Sequence, residues 1–158
     1  MKKLLALTVI LLGISTNPVI AEPAKPATEQ SQPLEITVYR SPSCGCCSKW
    51  LTHLKQNQFT VNDVVIDDVA TIKQKYGVPA KLASCHTAIV NGYVIEGHVP
   101  ASDIKELINS KAKVVGLSVP GMTTGTPGME MGNRKDPYDV VSFDKTGQTK
   151  VFKHYQNY

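Results

Sequence analysis

Three of the chain's four cysteines fall within four residues, Cys44-Gly45-Cys46-Cys47, and the fourth, Cys85, stands beside His86. A CxxC at the start of a helix places thiols against unpaired backbone N–H groups and the positive end of the helix dipole, which favour thiolate. Both thiol–disulfide exchange and soft-metal binding run through that thiolate. For exchange, Cys44 attacks and Cys47 resolves, and Cys46 has no part. For metal binding, all of these sulfurs matter. On a regular helix Cys44 and Cys47 project the same way, while Cys46 is turned about 100° from Cys47, so one ion cannot easily take all three. Either the turn from Cys44 to Cys46 is irregular, or the thiolates bridge more than one ion.

The elements around the cysteines follow from periodicity. Leu34, Ile36 and Val38 alternate with polar neighbours, which predicts a half-buried strand. Cys47, Trp50, Leu51 and Leu54 then recur at i, i+3, i+4 and i+7, one face of a helix opening at the cysteines. FTVNDVVID predicts a second strand, and Asp67 or Asp68 caps a second helix that buries Val69, Ile72 and Tyr76 before Gly77 and Pro79 end it. Asn91-Gly92 between TAIV and YVIE is a type I′ hairpin signal, and ASDIKELINS after Pro100 predicts a helix burying Ile104, Leu107 and Ile108. This order, β-α-β-α-β-β-α with a CxxC on the first helix, is that of an α/β, thioredoxin-like domain. The stretch VVGLSVPGMTTGTPGMEMGNRKDPYD reads as a long ordered loop rich in Gly, Pro and Met, followed by a hairpin around Lys145-Thr146-Gly147-Gln148. Lys73, Lys75, Asp103 and Lys105 read as solvated helix faces.

In such a fold the segment before the third strand faces the CxxC. Here it reads Ser84-Cys85-His86-Thr87, where thioredoxins carry a cis-proline, so a fourth sulfur and an imidazole meet the first three. A simple dithiol oxidoreductase needs neither. Two structural disulfides are the plain alternative for an even cysteine count in an oxidising compartment. Zinc fits less well, because the chain has neither paired CxxC knuckles nor separated His pairs. Thiolate and thioether select Cu(I), and Met122, Met129 and Met131 all fall in the Gly/Pro-rich loop rather than in helices or strands. The candidate ligands are therefore Cys44, Cys46, Cys47, Cys85, His86, Met129, Met131 and Met122, with copper as the ion. His98, at the end of the fourth expected strand, falls near the same edge but stands outside this set. His53 and His154 read as bystanders, and Trp50 as core.

CGCC, SCHTA, GHVP and PGMEMGNRKDPYDV together, spanning Ile36 to Tyr155, resemble the CopG-like family of small periplasmic copper-resistance proteins. The resemblance implies a thioredoxin-like fold, a cysteine-ligated multicopper centre holding Cu(I) or Cu(II), and a role in copper tolerance with copper passed to periplasmic export or chaperone proteins. By motif it nominates Cys44, Cys46, Cys47 and Cys85 first, then His86 and Met129 or Met131.

The N-terminus sets the expected compartment. Residues 1–21 carry Lys2 and Lys3, an apolar run from Leu4 to Ile14, and the small cleavage-site residues Val19 and Ala21, the layout of a cleavable secretory signal. The run is too short for the ~20 residues of a membrane span. Residues 22–33, EPAKPATEQSQP, read as a flexible tether, and the folded domain is expected over 34–158. With 17 Lys and Arg against 13 Asp and Glu the net charge is +4, falling to +2 without Lys2 and Lys3; with no basic run and 6% aromatics, nucleic-acid binding is excluded. The expected protein is thus a periplasmic copper-binding and redox protein in copper homeostasis, with the CxxC available to pass electrons. A metal-free thiol-disulfide oxidoreductase using Cys44 and Cys47, or a disulfide-stapled scaffold docking a partner through the long loop, remains the alternative.

Overall fold

The computed structural model describes residues 33–158. The expected signal peptide, and the expected tether up to its last residue, lie outside them. The first strand, β1 (Leu34–Arg40), buries Ile36 and Val38 as the alternation predicts. Helix α1 (Gly45–Gln56) follows, burying Cys47, Trp50, Leu51 and Leu54. β2 (Phe59–Val65) lies parallel to β1. Helix α2 (Val69–Lys75) is capped by Asp68, whose Oδ1 accepts from the Thr71 N–H at 3.1 Å. A short 3-10 turn (Ala80–Leu82) leads into β3 (His86–Val90) and β4 (Tyr93–Glu96). Asn91 and Gly92 join them with φ of 46° and 80°, the paired positive angles of a type I′ turn. Helix α3 (Ala101–Ser110), β5 (Gly116–Ser118), β6 (Tyr138–Phe143) and β7 (Thr149–Tyr155) complete the order.

All seven strands form one mixed sheet, β2-β1-β3-β4-β5-β6-β7. The β1/β2 and β4/β5 pairs are parallel and the other neighbours antiparallel. Strand alternation divides the core between the two faces. Ile36, Val38, Ala88, Val90, Ile95, Leu117 and Val140 pack with Trp50, Leu54, Ile104 and Leu107 of α1 and α3. Val94 and Phe143 pack with Leu82 in a smaller core, flanked by Tyr76, Ile89 and Val141. No described helix is long and apolar enough to cross a membrane.

Three expectations are corrected. The stretch expected to be loop opens with β5, a three-residue strand that is buried throughout and ties the terminal hairpin into the sheet. Three residues are too few to show a period, and Gly116 serves there because a Cβ would run into the Val94 carbonyl. Helix α2 buries no residue completely; its seven residues cover too little of the sheet, and Val69, Ile72 and Tyr76 stay half-buried. Asp103 and Lys73 are not merely solvated helix charges. Asp103 is fully buried against Lys153 and Tyr155, and Lys73 reaches the buried Glu96, both partners coming from strands distant in sequence.

Candidate metal centre

The β1/β3 register places Cys85 next to the cysteine turn. Arg40, the last residue of β1, pairs with His86, so Cys85 sits just past the strand end from which the chain turns into Cys44. Cys44 stands before α1 as its N-cap, with φ −82° and ψ 86°. It is therefore off the helical screw, and its sulfur lies 3.6 Å from that of Cys46. Of the two options the spacing left open, the irregular turn is present, and it brings Cys46 to the same side as its neighbours. Cys44 and Cys47 are joined in a disulfide, while Cys46 and Cys85 are free and half-buried. All four sulfurs lie within 4.8 Å of one another.

A second group shares Cys85. Ligand atoms of Cys85, His86 and His98 also lie within 4.8 Å of one another. His98 Nε2 is 3.1 Å from Cys85 Sγ, and His98 Nδ1 is 2.7 Å from the Pro127 carbonyl. A carbonyl only accepts, so Nδ1 carries the proton and the Nε2 lone pair faces the sulfur, the tautomer a metal-ligating histidine needs. His86 is fully buried, with Nδ1 3.5 Å from Cys85 Sγ. Its Nε2 is the one buried side-chain polar atom among the described residues with no hydrogen-bond partner. The His86 ring packs on Trp50, centroids 4.3 Å apart, while the indole N–H donates to the Val99 carbonyl at 2.9 Å. Trp50 is thus core, as expected, and also a wall of this site.

Burial sets the electrostatics. It holds His86 well below the usual imidazole value, helped by His98 and Lys73, and it also lowers His98. Both rings are neutral and free to ligate at neutral pH. Burial, reinforced by Cys46, pushes the Cys85 thiol up to about 11. A cation bound there must displace its proton.

The long loop covers the cysteine turn. At Gly128, φ +85°, a Cβ would lie 2.7 Å from the Trp50 backbone nitrogen and 3.1 Å from the Cys46 carbonyl, so only glycine lets the loop lie on α1. Met129 follows and is half-buried. Gly121 pairs with Ser84, which brings Met122 alongside Cys85 in register. Met122 and Met131 are nevertheless 61% and 65% exposed and are not drawn into the buried cluster. Of the candidates, the four cysteines and His86 come together, and the methionines line the loop around them.

His98 was the omission, although a signal for it was present. The Asn91-Gly92 turn pairs Val90 with Tyr93, and counting outward matches Thr87 with Glu96. The same count sets Cys85 opposite His98. The Gly97 N–H donates to the His86 carbonyl at 3.0 Å, one residue further along that ladder. The bystanders have local roles. His53 Nε2 accepts from the Ala101 N–H at 3.1 Å at the start of α3, and His154 Nδ1 lies 2.6 Å from Asp139 on an exposed edge.

A family model described as "Protein of unknown function, DUF411" matches residues 82–129, which include Cys85, His86, His98 and the loop to Met129. No curated protein gives a match. Among solved structures, "Copper resistance protein copG- Form 2" is 47% identical over 78% of this chain and 99% of its own, with a TM-score of 0.75. "Copper resistance protein copG- Form 1" is 48% identical over 78% of this chain and 98% of its own, with a TM-score of 0.74. With nearly half of the residues identical over almost the full length of those structures, the chain belongs to the CopG family of copper resistance proteins.

Proposed function

We propose that this protein binds copper in copper resistance, holding it as a multicopper centre on Cys44, Cys46, Cys47 and Cys85 with His86 and His98. The observation that carries the reading is the clustering of four sulfurs within 4.8 Å, joined through Cys85 to two buried imidazoles. Once a thiol reductant has opened the Cys44–Cys47 disulfide, the donor set fits the ion, since thiolates select Cu(I) and imidazole suits copper in either oxidation state. The unpartnered His86 Nε2 supports a ligand that the polypeptide itself does not supply. Six donors around one shared sulfur suit several ions better than one. Bound there, copper supplies one-electron chemistry between Cu(I) and Cu(II). The chain's part is to present soft donors, keep both imidazoles neutral, and limit water access with Trp50 and the Gly128 lid. Met129 and the exposed Met122 and Met131 stand where copper enters or leaves. We read the β2-β1-β3-β4 sheet with α1 to α3 as a thioredoxin-like unit extended by β5 to β7. We also read residues 1–21 as a signal peptide that delivers the protein to the periplasm, where export or chaperone proteins exchange copper with it.

Elemental analysis of protein from the periplasm of copper-fed cells, with a free-thiol count before and after chelation, tests this. Several copper ions per chain, with thiols released by the chelator, are expected. Metal-free protein with all four cysteines in disulfides would contradict it.

The Cys44–Cys47 bond at a helix N-terminus favours a second reading, a thiol-disulfide oxidoreductase in which Cys44 attacks and Cys47 resolves. Cys85→Ser separates the two. It abolishes the copper centre in the first reading and leaves reduction of a disulfide substrate intact in the second.

A further inference from the structure

Glu96 has no solvent exposure, yet its carboxyl is paired with a lysine. Its Oε1 accepts from the Ser84 backbone N–H at 2.6 Å and from Lys73 Nζ at 2.6 Å. Its Oε2 accepts from Thr87 Oγ1 at 2.7 Å, and Lys73 Nζ donates to the same hydroxyl at 3.1 Å. Ser84 and Thr87 flank Cys85 and His86, so one carboxylate ties down both ends of the dipeptide. The neighbouring backbone is equally confined. At Gly97, φ +71°, a Cβ would lie 2.5 Å from Ser84 Oγ and 2.6 Å from the Val119 carbonyl. Ser84 Oγ in turn donates to the Gly121 carbonyl.

A buried ion pair is a poor source of stability, because desolvation offsets its attraction and well-packed apolar side chains often do as well. Fixing one geometry is the better-attested use of such a pair. The geometry fixed here is that of a sulfur which the β3 ladder does not hold, since Cys85 lies just outside the strand, and of the imidazole on the strand's first residue, His86.

We infer that Glu96, held by Lys73, is a positioning residue that sets Cys85 and His86 for metal binding. This rests on the copper reading above. The test compares Glu96→Gln with Asp103→Asn, a matched control that alters an equally buried carboxylate paired with Lys153 and Tyr155. Two quantities are measured: amide hydrogen exchange across Ser84–Thr87 in the metal-free protein, and Cu(I) affinity by competition with a chromogenic chelator.

Glu96→Gln should speed exchange at Ser84 and weaken Cu(I) binding about tenfold, the low end of the range for outer-shell partners, because Glu96 acts through the residues beside the ligands. Lys73→Met should act the same way and Lys73→Arg should restore binding, while Asp103→Asn stays near wild type in both measurements. Lys73→Met also carries the test if Glu96→Gln does not fold, since Lys73 lies on the half-buried α2. Unchanged affinity in Glu96→Gln and Lys73→Met, or an equal loss in Asp103→Asn, would overturn the inference alone. Wild-type protein that takes no Cu(I) would overturn the copper reading and this role with it.

Discussion

Asp103 and Glu96 are both fully buried carboxylates within reach of a lysine, but they stand in different company. Around Asp103 the contacts close among themselves. Tyr155 donates to the carboxylate at 2.9 Å, its ring stacks on Tyr138 at 4.7 Å between centroids, and Lys153 reaches solvent. Glu96 instead accepts from Ser84 and Thr87, the residues on either side of Cys85 and His86, where a thiol is pushed up to about 11 and an imidazole nitrogen has no partner. Leaving such a polar atom buried and unpaired costs about 1–3 kcal/mol. The hairpin end avoids that cost and the cysteine end carries it, as expected of a region shaped to meet a ligand rather than to maximise stability.

The largest effect expected from breaking this contrast is at Cys85, the one residue common to both ligand groups. Cys85→Ser should weaken copper binding beyond the ~100-fold that outer-shell losses reach, with little change in melting temperature. Retained stoichiometry would remove Cys85 from the centre.

Next is the reactivity of Cys85 in metal-free protein with Cys44–Cys47 closed. Its pKa is raised from 9.0 to about 11, so the folded state holds the proton more tightly than the unfolded chain. Near pH 8 its alkylation should be about 100-fold slower than in unfolded protein, two pH units of lost thiolate, and should climb until about pH 11. A plateau by pH 9 would show the site to be wetter than its burial implies.

Asp103→Asn should sharpen the contrast from the other side. It should lower stability by about 2 kcal/mol, less than a fully buried pair because Lys153 is partly solvated, and leave copper binding intact. Denaturant unfolding beside a Cu(I) titration reads both.

The smallest pair of effects concerns two glycines with positive φ. Gly147→Ala, where a Cβ meets nothing closer than 3.9 Å, should cost only the ~1–2 kcal/mol of a left-handed residue. Gly128→Ala adds a clash with the α1 backbone and should also lift the loop, weakening copper binding where Gly147→Ala does not. Equal binding in the two variants would detach the loop from the site.

Much of this was legible from local pattern. The helix face Cys47, Trp50, Leu51 and Leu54 and the Asn91-Gly92 turn follow from spacing, and the meeting of Cys85 with the cysteine turn follows from the element order, which sets the segment before β3 against the CxxC. What spacing alone hid depends on partners distant in sequence. Lys73 and Asp103 look like surface charges until strands from elsewhere in the chain cover them. β5 shows no period because it has three residues. His98 lies between these cases, since the hairpin register leads to it but a lone histidine carries no period of its own. The methionines taught the converse, because a shared loop context grouped Met122 and Met131 with ligands that the fold keeps more deeply buried.

The central claim is that four thiols and two imidazoles form one copper centre. Its most direct test is titration of Cu(I) into the fully reduced protein, with the alkylation of each cysteine followed at every step. The account predicts saturation above one equivalent per chain, with Cys44, Cys46, Cys47 and Cys85 protected together. Saturation at one equivalent or less, with Cys46 or Cys85 still open to alkylation, would contradict it.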